Sequence, residues 1–153
     1  MDMEKFTERS RGFIQAAQTI AIRENHQKLA PEHLLKALLD DDQGLASNLI
    51  NAAGGETARV VEAVDGALAK MPKVTGDAAQ TYMDQQTVKV LDEAQKLATK
   101  GGDSFVPVER ILTALAVVKS KAKEALDAGA VTAMTLNSAI NDVRKGRTAE
   151  TAS

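Results

Sequence analysis

The chain carries nearly the same sequence twice. Ala17-Gln18-Thr19-Ile20-Ala21 recurs as Ala94-Gln95-Lys96-Leu97-Ala98, and Glu32-His33-Leu34-Leu35-Lys36-Ala37-Leu38 recurs as Glu109-Arg110-Ile111-Leu112-Thr113-Ala114-Leu115. Both pairs are separated by 77 positions (17 to 94, 32 to 109). With one residue deleted further on, Val60, Val64 and Ala67 fall on Leu136, Ile140 and Val143. A constant spacing over most of two halves predicts a duplicated structural unit and argues against an enzyme built around one unique site. Two copies of a unit this long predict a closed pseudo-symmetric domain rather than an array.

Hydrophobic spacing assigns the secondary structure. Phe13, Ile14, Ala17, Ile20 and Ala21 recur three and four apart, which predicts a helix from Thr7 to about Asn25 with Thr7 as its N-cap. The shift of 77 carries Thr7 onto Asp84, another favourable cap, so the second copy is expected to keep the capping role. A second helix opens at Pro31, whose missing N–H costs nothing in a first turn. A third spans roughly Gly44 to Ala53 and stops at Gly54-Gly55, and a fourth covers Thr57 to Lys70 before Pro72. The second copy repeats the series as Gln85 to Lys100, Pro107 to Val118, Ser120 to Ala128, and a helix capped by Thr132 that ends near Lys145-Gly146. No strand pattern of useful length occurs. The expected fold is all-α, with eight helices as two pseudo-twofold related four-helix repeats: repeat one at 1–72, a linker at 73–83 around Thr75-Gly76-Asp77, and repeat two at 84–145. Residues 146–153 are small, polar and charged, and read as the start of a linker.

Composition narrows the function classes. The 153 residues suit one domain, and with three Phe, one Tyr and no Trp the core must be filled by Ala, Leu, Val and Ile. A net charge of −2 from 21 acids and 19 bases gives no general attraction to nucleic acid or to an anionic membrane. The absence of Cys excludes disulfides and thiolate zinc sites and fits a cytoplasmic protein. No run reaches the ~18 apolar residues of a membrane helix. Met1 to Ser10 mixes acids and bases without the apolar stretch of a signal peptide.

Catalytic and ligand motifs are missing. Gly101-Gly102 is followed by Asp103-Ser104 and not by the lysine and hydroxyl of a phosphate loop. His26 and His33 belong to no metal-binding helix motif, and they read as surface or cap-supporting side chains. Asp40-Asp41-Asp42 lacks the further oxygen ligands of a calcium loop and reads as a solvated helix end. Lys119, Lys121 and Lys123 are diluted by Glu124 and Asp127, with no aromatic residue to stack on bases.

The two A-Q-x-x-A and E-x-[LI]-L-x-A-L blocks, with Gly101-Gly102-Asp103-Ser104-Phe105 and Lys145-Gly146-Arg147-Thr148, resemble the duplicated N-terminal domain of the Clp family of AAA+ unfoldases. The likeness runs from about Phe6 to Arg147 and is greatest to the disaggregase branch of that family. It implies a non-enzymatic, monomeric domain on a mobile linker above a hexameric ATPase ring. Such a domain binds unfolded or aggregated polypeptide for delivery to the pore. ATP and magnesium would belong to ATPase modules following Ser153, with no cofactor in the domain itself. The full-length protein would also work with a cooperating chaperone system. A second implied role is docking of a folded adaptor or regulation of the ring.

The resemblance also nominates residues. Thr7, Asp103 and Glu109 match polar positions that the family associates with substrate handling. Each has a structural alternative: Thr7 as a cap, Asp103 in a glycine turn, and Glu109 facing the dipole of a helix first turn. Val88, Leu91 and Ala98 form one stripe of the fifth helix, flanked by Val90 and Leu97. Such an arc is wider than one neighbouring helix needs. The resemblance implies that Leu97, and secondarily Leu91, edge a hydrophobic groove between repeats, the alternative being that neighbouring helices bury both flanks. Arg110 replaces an apolar residue common in the disaggregase branch and is expected to narrow or recharge that groove.

Overall fold

A computed structural model describes residues 2–76 and 81–153. A 3-10 turn at Met3–Lys5 leads into α1 (Glu8–Arg23), α2 (Pro31–Leu39), α3 (Leu45–Ala52) and α4 (Thr57–Lys70). The second group is α5 (Gln85–Lys100), α6 (Val108–Val117), α7 (Lys121–Ala128) and α8 (Ala133–Arg144). The eight expected helices are present, and α4 and α5 begin and end on the residues the sequence indicates. Of the expected linker, residues 77–80, including Asp77, lie outside the described residues.

Local chemistry explains most helix ends. The Thr7 hydroxyl accepts the Ser10 N–H at 3.1 Å, Ser120 accepts the Lys123 N–H at 3.2 Å, and Thr132 accepts the Thr135 N–H at 3.1 Å. Pro31 occupies the first position of α2. Asp84 departs from expectation. It stands at the N-cap of α5 in extended conformation but accepts no capping hydrogen bond, and its carboxylate lies 3.9 Å from the Lys28 ammonium. The second repeat therefore keeps the position of the cap and loses its bond.

Two short parallel pairings, which the sequence did not suggest, lock the halves together. Lys28–Leu29 (β1) pairs with Tyr82–Met83 (β2), and Phe6 bridges to Val106. The shift of 77 carries Phe6 onto Met83 and Leu29 onto Val106, so the Phe6–Val106 bridge is the counterpart of Met83–Leu29. The side-chain bonds obey the same rule. Ser10 donates its hydroxyl to the Val106 carbonyl at 2.8 Å, and Thr87, 77 positions on, donates to the Leu29 carbonyl at 2.7 Å. Those carbonyls also accept the backbone N–H of Thr7 at 3.1 Å and of Asp84 at 3.0 Å. Each half thus holds the start of its first helix against the segment before the second helix of the other half. Two-residue strands have no readable period, because alternation needs four or more residues to register.

The core is centred on α2 and α6. Leu34, Leu35 and Leu38 on α2, and Ile111, Leu112 and Leu115 on α6, are fully buried. Each such side chain contributes about 1.5–3 kcal/mol relative to exposure. Helix α1 packs on α2, α5 on α6, and α4 on α7. The last contact is close: a Cβ at Gly129 would meet Val60 and, at 2.8 Å, the Glu56 carbonyl, while the Gly129 carbonyl accepts the Glu56 N–H at 2.8 Å. Among the described residues no helix is long and apolar enough to cross a membrane.

Candidate functional site

The reciprocal arrangement sets the N-terminus of α1 beside that of α6. Thr7 and Glu109, 102 positions apart in sequence (7 to 109), line one cleft of about 520 Å³. Its walls are Arg9, Leu45, Pro107 and Val108, and the C-terminal residues Thr148 to Thr151 with Ser153 complete it. Glu109 lies in the first turn of α6, where its carboxylate faces the positive end of the helix dipole. Thr7 is nearly buried, and its hydroxyl is occupied by Ser10 as cap acceptor and as donor to the Ser10 hydroxyl at 3.0 Å.

Beneath the cleft lies a buried ion network. Asp103 has a fully buried side chain and accepts four hydrogen bonds from three residues. Arg110 Nε stands 3.0 Å from Oδ2, Arg144 Nη1 3.0 Å from Oδ2, and the Ala149 N–H 2.8 Å from Oδ1, with Arg144 Nη2 also on Oδ1. Burial alone would raise the Asp103 carboxyl pKa. The Arg144, Ala149 and Arg110 hydrogen bonds outweigh burial and hold it below the usual carboxylate range. Arg144 Nε also lies 3.8 Å from Glu109 Oε2, which connects the network to the cleft wall. The 101–105 turn thus places its carboxylate so that α6, α8 and the C-terminal segment all converge on it.

This arrangement corrects two expectations. Arg110 does not recharge an open groove: its side chain is 7% exposed and is committed to Asp103. Leu91 does not edge a surface groove, because it is fully buried with Val90, Ala94 and Ala98. Neighbouring elements therefore cover α5 at Val90, Leu91, Ala94 and Ala98, while Val88 is only partly buried. Leu97 is partly exposed while packed against the core, and it stands apart from the Thr7–Glu109 cleft.

A second cleft occupies the position related by the repeat. Thr7, Pro107 and Glu109 correspond, 77 positions on or back, to Asp84, Ala30 and Glu32, and these three line a cleft of about 910 Å³ between α4, α7 and the start of α2. Burial raises the Glu32 carboxyl pKa, opposed by the Lys28 and Lys121 charges. Next to it the structure shows a pair the sequence did not signal. His26 and His33 are buried, with Nδ1 of one 2.9 Å from Nε2 of the other. His33 also accepts the Ala30 N–H on Nδ1 at 2.9 Å, so its proton sits on Nε2 and points at His26. His33 is the cap-supporting side chain expected of it, whereas neither ring is on the surface. Burial pushes the His33 pKa down to about 4 and lowers that of His26 as well. Among the described residues no group of three His, Asp or Glu side chains could hold a metal ion.

Comparison with known proteins agrees with this geometry. The Clp repeat (R) N-terminal domain family matches residues 5–129. The chaperone protein ClpB of Brucella suis is 54% identical over the whole of this chain, which spans 18% of that relative's length. ClpB of Rickettsia felis is 36% identical, again over the whole chain and 18% of its own length. The N-terminal domain of Hsp104 from Candida albicans superposes with a TM-score of 0.84 at 22% identity, covering 97% of each chain. The residues that match ClpB comprise its N-terminal domain without the AAA+ ATPase modules. The chain therefore belongs to the Clp repeat N-terminal domain family, as the N-domain of a ClpB-like chaperone.

Proposed function

We propose that this domain recognises unfolded or aggregated polypeptide for a ClpB-like disaggregase and helps deliver it to the ATPase ring. One observation carries this reading. The open Thr7–Glu109 cleft is walled on one side by residues 148–151 and 153, a segment seated through its main chain, with Ala149 bonded to Asp103, Ser104 and Phe105 and the Ala152 carbonyl to the Glu8 N–H. A surface that binds backbone and presents Leu45, Pro107 and Val108 beside one acid and one base suits many sequences. Six copies on one ring raise the effective concentration, so modest affinity per domain suffices. Thr7 and Glu109 are the contact residues in this reading, with Leu97 as a separate apolar contact. Asp103 and Arg110 hold the cleft in shape from below. The partners are client polypeptide, the rest of the chaperone chain and its hexamer, and a cooperating chaperone system, in the cytoplasm. The isolated domain is monomeric.

The alternative is docking of a folded adaptor or regulation of the ring. A structural relative, a ClpV N-domain solved in complex with a VipB peptide (TM-score 0.71, 20% identity, covering 97% of this chain and 92% of that one), favours keeping it in view. Fluorescence anisotropy of a labelled, permanently unfolded polypeptide separates the two. Saturable binding that unlabelled unfolded chain displaces, and native protein does not, supports the client reading. Absence of binding by a folded domain rejects it.

A further inference from the structure

The charged side chains that α1 and α6 bring to the Thr7–Glu109 cleft are answered from outside it. Behind Glu109 the buried network holds two guanidinium groups, Arg110 and Arg144, against one carboxylate, Asp103. That set carries one surplus positive charge, and Glu109, 3.8 Å from Arg144 Nε, supplies the missing negative one. Arg9 lines the cleft from α1. Its guanidinium donates to Asp41, in the α2–α3 connection, at 3.1 Å and lies 5.8 Å from the centre of the Phe13 ring. Neither Arg144 nor Asp41 lines the cleft, and their side chains are 12% and 16% exposed. Each of these wall charges therefore has its counter-ion on the protein side, where solvent screens least. The remaining charged wall residue, Glu150, accepts the Thr148 hydroxyl at 3.2 Å. The repeat does not impose the pairing with Arg144: the equivalent position of the first copy is Leu68, so Glu32 lacks this partner.

We propose that Arg144 and Asp41 set the charge selectivity of the cleft: by cancelling Glu109 and Arg9 from behind, they let basic and acidic client segments bind alike. This rests on the reading that the cleft receives unfolded polypeptide, and adds what decides which segments it accepts. A bare carboxylate on the wall would favour lysine-rich segments and repel acidic ones, and a bare guanidinium would do the reverse. With both cancelled, main-chain hydrogen bonds and the apolar wall of Leu45, Pro107 and Val108 are left to hold a client. Arg144 and Asp41 touch no client in this arrangement. They act through Glu109 and Arg9, as positioning residues.

The test uses the 153-residue chain and two unstructured synthetic peptides of equal length and apolar content, one with lysine and one with glutamate at its polar positions. Fluorescence anisotropy at low salt, where charge is least screened, gives the two affinities, and backbone amide spectra locate the contacts. The unaltered chain is expected to bind the two peptides within about threefold of each other. Asp41→Asn bares Arg9 and should shift the affinity ratio about threefold toward the glutamate peptide, the scale of one partly exposed ion pair. Arg144→Gln bares Glu109 and should shift it about fivefold the other way, this pair being less exposed. Arg144→Lys restores the positive charge and should bring the ratio back. A merely structural loss weakens both peptides together and does not move the ratio in opposite directions. A strong charge preference in the unaltered chain overturns the proposal. A variant that leaves the ratio unchanged, with shifts still at Thr7 and Glu109, overturns the role of that residue and leaves the cleft reading standing. Shifts that avoid the cleft with both peptides overturn the cleft reading and this inference with it. Asp41 sits in a connection outside the buried network, so Asp41→Asn keeps the fold and decides the matter even where Arg144→Gln, which takes donors from buried Asp103, does not fold.

Discussion

Asp103 and Arg110, joined at 3.0 Å in the second repeat, stand 77 positions beyond His26 and His33, joined at 2.9 Å in the first. The same two sites, one in the loop after a repeat's first helix and one on its second helix, carry a buried ion pair in one copy and a neutral imidazole pair in the other. Duplication preserved the contact and changed its chemistry. The charged version gathers Arg144 and the C-terminal segment, whereas the neutral version leaves His26 Nε2 without a partner.

Asp103→Ala leaves two guanidinium groups, 7% and 12% exposed, without their carboxylate. Breaking a buried pair from one side costs about 3–5 kcal/mol. In a domain of this size that lowers the melting temperature by roughly 10 °C. Calorimetry checks it. A loss below about 1 kcal/mol would show that Asp103 contributes little to the fold.

The imidazole pair gives the fold an acid limit. The His33 pKa is about 4 in the folded chain, against 6.5 when unfolded, so below pH 6.5 the unfolded chain takes up the proton first. Stability is therefore complete above pH 6.5 and falls toward pH 4, by about 3 kcal/mol from His33. His26 acts in the same direction. Glu32, whose carboxyl pKa is raised by burial, acts in the opposite one. Denaturant unfolding at several pH values should show a steeper loss between pH 6.5 and 4 than in a His33→Gln chain.

Gly129→Ala drives a methyl group into Val60 and the Glu56 carbonyl at the α4–α7 contact. Overpacking of this kind costs about 1–3 kcal/mol. The melting temperature should fall while the client interaction of the folded domain is unchanged, since Gly129 does not line the Thr7–Glu109 cleft.

Leu91 and Leu97 should separate fold from binding. Leu91→Ala empties a fully buried site and costs about 2–5 kcal/mol. Leu97→Ser, on a partly exposed position, should leave a folded domain with weaker client affinity. Unchanged affinity would remove Leu97 from the contact surface.

Helix positions, the duplication and the Thr7 cap were legible because each is local: periodicity, a fixed shift, a hydroxyl before an apolar run. The repeat also located Glu109 and its counterpart Glu32. What stayed hidden depends on residues far apart in sequence. Asp103 reads as a turn residue until Arg144, 41 positions on, folds back onto it. Arg110 reads as a surface charge until that carboxylate is placed beside it. The Phe6–Val106 and Leu29–Met83 pairings are too short to leave a pattern. Val90 and Leu97 share one flank of the helical wheel, and only the packing of neighbouring elements buries one and leaves the other partly exposed.

Backbone amide spectra of the 153-residue domain, recorded while an apolar-rich, permanently unfolded polypeptide is titrated in, test the central claim most directly. The account predicts shifts concentrated at Thr7, Glu8 and Glu109, with a separate response at Leu97 and little change across the buried faces of α2 and α6. A well-dispersed spectrum that does not respond, or responds only away from the cleft, would contradict it and shift the assignment to adaptor docking or ring regulation.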